Sequence, residues 1–91
     1  MIDDLISTLE IVRDAVWAKN RDKGLEAITV FLMQFMDFFG HSQSIISKML
    51  PILEEPKNQI KAGDFDEAVA RVLALLIWLR QVREATSASK D

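Results

Sequence analysis

The chain has 91 residues, of which 49% are hydrophobic and 27% charged, with a formal net charge of -3 and no cysteine. That length suits one domain with a modest core, and the apolar fraction is too high for a disordered chain. The acidic balance argues against a nucleic-acid surface, where clustered Lys and Arg displace counterions. The lack of cysteine excludes a disulfide framework, a thiolate metal site and a Cys nucleophile.

Met1-Ile2-Asp3-Asp4-Leu5 is acidic where a signal peptide is basic. The longest apolar-rich stretch, Leu25 to Phe39, carries Glu26, Gln34 and Asp37. It is shorter than the roughly 20 residues a membrane-spanning helix needs. The expectation is a soluble, cytoplasmic protein without a membrane span. The first predicted helix covers residues 2–19, with Ile2, Leu5, Ile6, Leu9, Val12 and Val16 in one stripe and Asp3 and Asp4 at the positive end of its dipole. Asn20 or Asp22 is placed to cap the second helix, residues 22–39, whose stripe is Leu25, Ile28, Leu32, Phe35, Met36 and Phe39. Gly40 supplies a stop in the left-handed conformation.

The third helix, residues 42–61, starts at Ser42 or Ser44 and meets Pro51 and Pro56, each lacking a backbone donor. A kink or break is therefore expected between Leu50 and Pro56. Gly63 ends this helix, and Asp64 with Glu67 has capping-box spacing at the start of the fourth, residues 64–85. Residues 86–91, rich in Ser, Ala, Lys and Asp, read as a frayed tail beyond a single helical domain, 1–85. The fold class is all-α: a four-helix bundle or a pair of stacked helical hairpins with the third helix kinked or broken. A shift of 41 residues lays Leu5 on Ile46, Leu9 on Leu50, Ile28 on Val69 and Phe35 on Leu76, a match that any two amphipathic hairpins of equal length also give. The segment Ala62-Gly63-Asp64-Phe65-Asp66-Glu67-Ala68 resembles the turn and second-helix start of a tetratricopeptide repeat. The upstream helix lacks that family's Trp, Leu, Gly and Tyr positions, so the resemblance is one of helix-turn-helix chemistry.

The fourth helix holds eight consecutive apolar residues, Val72 to Leu79. At about 100° per residue such a run covers every side of the helix, leaving no polar face for water. One stripe, Phe65, Ala68, Val69, Val72, Leu76 and Leu79, turns inward. Leu75, Trp78 and Val82 make a second flank, and Leu73 and Ile77 a third. On the second helix Val30 and Met33 fall off the main stripe, and Phe38 flanks it. The expected partner-binding residues are therefore Val30, Met33, Phe38, Leu75, Trp78 and Val82, with Arg71 and Arg83 tuning register at the rim. Trp17 and Trp78 carry indole donors that suit an interface edge.

No catalytic constellation accompanies this surplus. His41, the only histidine, lies four residues after Asp37, with no nucleophile, second histidine or Gly-rich oxyanion loop beside it. Carboxylate-bridged metal bundles use Glu-x-x-His pairs from facing helices, and the chain has none. No cofactor is expected. The reading is a non-catalytic interaction module that pairs with itself as a homodimer or takes an amphipathic helix of another protein, as an adaptor, chaperone-like protein or regulatory subunit. The alternative is a small bundle binding an apolar ligand in a cavity lined by its Phe and Met residues.

Overall fold

A computed structural model describes residues 2–88, which form four helices: α1 (Ile2–Trp17), α2 (Arg21–Phe39), α3 (Gln43–Ala62) and α4 (Phe65–Ala88). Each helix packs on its neighbours in the chain, and α1 also packs on α4, which closes a ring. Arg80 of α4 reaches Glu10 of α1 at 3.2 Å, Arg83 reaches Asp3 at 3.3 Å, and Arg71 reaches Glu55 of α3 at 3.0 Å. The two α1 pairs run in opposite chain directions, and only Gly63 and Asp64 separate α3 from α4, so α4 is antiparallel to both neighbours. The architecture is an up-and-down four-helix bundle measuring 43 × 23 × 18 Å.

Local chemistry sets the ends of each helix. α1 stops because Lys19 adopts the left-handed conformation, φ 58°. Its N–H donates to the Val16 carbonyl at 2.9 Å, and the Asn20 N–H donates to the Ala15 carbonyl at 2.9 Å. This is a Schellman motif built without glycine. Asn20 then caps α2, its side chain accepting from the Lys23 N–H, and Ser42 caps α3 by accepting from Ile45. Gly63, φ 79°, closes α3 with the same Schellman pattern, donating to Ile60 while Asp64 donates to Gln59. Gly40 departs from expectation. It remains right-handed at φ -60° and ψ -22°. A Cβ there would lie 2.5 Å from the Met36 carbonyl oxygen, so the site requires close backbone approach rather than positive φ.

α3 runs as one element through both Pro51 and Pro56. The carbonyls that lose the usual proline-position donor belong to Ser47 and Ile52, both exposed residues. α4 also exceeds its expected span, continuing to Ala88, with the Thr86 hydroxyl donating to the Val82 carbonyl at 2.9 Å. The expected tail is thus helical over residues 86–88, and 89–91 lie outside the described residues.

The core is apolar throughout, with no buried charged or polar residue among those described. Leu5, Leu9, Val12 and Val16 meet Ile28, Phe31 and Phe35 from α2, Leu53 and Ile60 from α3, and Val72, Leu76 and Leu79 from α4. α3 contributes least: Ile45, Ile46 and Met49 in its first half are only partly buried. The 41-residue shift carries buried Ala27, Ile28, Phe31 and Phe35 onto buried Ala68, Val69, Val72 and Leu76, but buried Leu9 onto exposed Leu50.

Candidate functional site

The six residues expected to bind a partner divide by helix. Val30 and Met33 stand on the outer face of α2, Met33 with 64% of its surface in water. Phe38 is half-buried and meets the Phe39 ring edge-on at 4.7 Å. Leu75, Trp78 and Val82 do not form the free flank of α4. Leu75 is 4% exposed and belongs to the core, while Trp78 and Val82 are half-buried. The Trp78 ring lies 6.3 Å from Phe35 and 6.0 Å from Phe39. Arg71 occupies the same flank at helical spacing, and its ion pair with Glu55 shows that this flank faces α3. The bundle itself therefore consumes the second flank of α4. Arg71 and Arg83 are both engaged within the chain, with Glu55 and Asp3 respectively.

The apolar surplus emerges on the third flank. Leu73 is 40% and Ile77 57% exposed, one helical turn apart. Beside Leu73 stands Trp17, with 75% of its surface in water at the end of α1. Trp17, Val69 and Leu73 line a shallow depression of about 270 Å³ with Arg13 and Asp14. On its other side Trp17 borders a second depression with Val16, Phe65 and Asp66. Ala70, Ala74 and Gln81 are also exposed, so the outer strip Ala70-Leu73-Ala74-Ile77-Gln81 carries no charge. Asp66 lies at one end of this strip, and Arg80, paired with Glu10, near the other.

A second surface follows the seam between α1 and α2. Its upper part is a groove of about 570 Å³ lined by Thr8, Ile11, Asn20, Asp22, Lys23, Glu26, Ala27 and Val30. Lower on the same seam, Asp4, Leu5, Gln34, Asp37 and Phe38 line a depression of about 380 Å³. Ile11 is exposed on this seam, and Met33 is one turn along α2 from Val30. Gln34 Oε1 is buried with no hydrogen-bond partner among the described residues.

The candidate chemistry does not assemble. His41 and Asp37 are exposed, in the α2–α3 turn and on α2, and no group of three or more His, Asp or Glu side chains among the described residues is arranged to hold a metal ion. The Phe and Met cluster fills the interior rather than lining a cavity: Phe31, Phe35 and Phe39 are buried, with successive ring centroids 6.1 and 4.6 Å apart. Met33 and Met36 point outward. No helix among the described residues is long and apolar enough to cross a membrane. Ile11 was not among the expected binding residues, and Trp17 was expected only at an interface edge, on account of its indole donor. Comparison of the chain with family models, curated proteins and solved structures found no match in any of the three.

Proposed function

We propose that the chain is a non-catalytic protein–protein interaction module that self-associates through the outer face of α4 and the end of α1. The observation that carries this reading is the exposure of Trp17 beside Leu73, with Ile77 exposed one turn further along α4. A tryptophan held in water forfeits most of the stabilisation its ring would gain on burial, and rigid aromatic anchors of this kind dominate binding energies.

A second copy is the occupant that the uncharged apolar centre of this face fits. Asp66 sits at the N-terminal end of the uncharged strip, and Arg80 and Glu84 near the C-terminal end. When two α4 helices pair antiparallel about a two-fold axis, the uncharged strips face one another, with Ala70 of each copy opposite Arg80 of the other. The same pairing sets Leu73 and Ile77 of one copy against Leu73 and Ile77 of the second. Ala70 and Ala74 let the two helices approach closely, and Trp17 closes the edge of the seam. Roles that such a dimer serves include adaptor, chaperone-like protein and regulatory subunit.

The test is solution molar mass by light scattering over a dilution series, for the wild type, Trp17→Glu and Ile77→Glu. Both sites are exposed, and circular dichroism checks that each variant stays helical. The expected result is a wild-type dimer that both substitutions dissociate. A wild type that is monomeric at every concentration overturns the self-association reading. A dimer indifferent to both substitutions overturns the assignment of the face.

A further inference from the structure

We infer that the seam between α1 and α2 is a separate docking surface, and that its occupant is a cationic amphipathic helix of another protein. The floor of the seam is apolar: Ile11, Ala27 and Val30 in the upper groove, Leu5 and Phe38 in the lower depression. The walls are acidic. The residues lining the two depressions include the carboxylates Asp22, Glu26 and Asp37, against one cation, Lys23.

This combination selects the partner. A helix with one apolar face lays that face on Ile11, Ala27 and Val30, and its flanking Lys or Arg residues meet the carboxylates along α2. Glu26 and Asp37 lie eleven residues apart on α2, which at about 1.5 Å per residue is roughly 16 Å, or three turns of a docked helix. A second copy of this acidic chain fits poorly here, and phosphate-bearing partners are repelled. The seam is on the side of α1 that carries Thr8 and Ile11, away from Trp17, so it remains open when α4 is paired.

The experiment uses the full chain and a labelled synthetic peptide of leucine and lysine patterned as an amphipathic helix, read by fluorescence anisotropy. The Trp17→Glu background separates this proposal from self-association. The lysine peptide is expected to bind and to weaken as salt rises, while its lysine-to-glutamate counterpart does not bind. Glu26→Lys with Asp37→Lys is expected to weaken binding by about tenfold or more, and Glu54→Lys with Glu84→Lys, away from the seam, to leave it unchanged. Val30→Asp makes the seam more acidic but less apolar, and is also expected to weaken binding. Amide shifts should move at Thr8, Ile11, Ala27 and Val30. No binding of the lysine peptide, equal loss in the distant pair, tighter binding by Val30→Asp, or shifts confined to other helices would each overturn the proposal.

Discussion

Leu75 and Ile77 stand two residues apart in one apolar run, and truncating each to alanine should have very different costs. Leu75 is 4% exposed inside the bundle. Its replacement removes buried methyl groups and leaves a cavity, at about 3 kcal/mol or more by analogy with measured Leu→Ala series. A domain of this size holds about 5–10 kcal/mol in all, so Leu75→Ala removes a large share. Ile77 is 57% exposed, so less than half of its surface leaves water when the single chain folds. That partial burial contributes roughly 1 kcal/mol, and the better helix propensity of alanine offsets up to about half of it, leaving a net cost near 0.5 kcal/mol.

Urea denaturation followed by far-UV circular dichroism, on protein dilute enough to be monomeric, measures both. Repeating it at high concentration adds the coupling to assembly. The wild type then gains stability by mass action, and the cost of Ile77→Ala grows with concentration while that of Leu75→Ala does not. Equal losses for the two variants at low concentration would refute the assignment of α4's inner and outer flanks.

Further substitutions test the local physics. Lys19 holds φ 58° without being glycine, so Lys19→Gly should raise stability by about 1 kcal/mol, seen as a higher urea midpoint. Gly63→Ala should lower it by a similar ~1 kcal/mol, because φ is 79° and no neighbouring atom within 4 Å adds a clash. Removing the caps, Asn20→Ala and Ser42→Ala, should cost about 1 kcal/mol each in the same assay. A double-mutant cycle on the Glu10–Arg80 pair, whose side chains are 38% and 45% exposed, should give a coupling of no more than about 0.5–1 kcal/mol that fades in concentrated salt.

The fold was largely legible because each helix carries its apolar residues at three- and four-residue spacing and is punctuated by Asn20, Ser42 or Gly63. What escaped sequence reasoning has local causes. Lys19 ends α1 in a conformation for which lysine gives no signal. Pro51 and Pro56 do not end α3, because the carbonyls that lose the usual proline-position donor belong to exposed residues. On α2, Val30 and Met33 were readable as outward because they lie off a well-defined stripe. The free flank of α4 was not readable, because the run from Val72 to Leu79 has no polar marker within it. Arginines border both edges: Arg71 pairs with α3 and Arg80 with α1, so charge did not say which edge faced water. That outcome depends on how α4 rotates between its two neighbours, which is a property of the assembled bundle.

Concentration-dependent fluorescence of Trp17 tests the central claim most directly. A Trp78→Phe variant keeps an aromatic ring against Phe35 and Phe39 and leaves Trp17 as the sole tryptophan. With 75% of its surface in water, Trp17 should emit as a solvated indole at high dilution. Its emission should shift to the blue, and its accessibility to a quencher should fall, over the concentration range in which light scattering shows the molar mass doubling. Emission that stays solvated while the mass doubles would place the seam elsewhere on the bundle, and a mass that never doubles would contradict self-association itself.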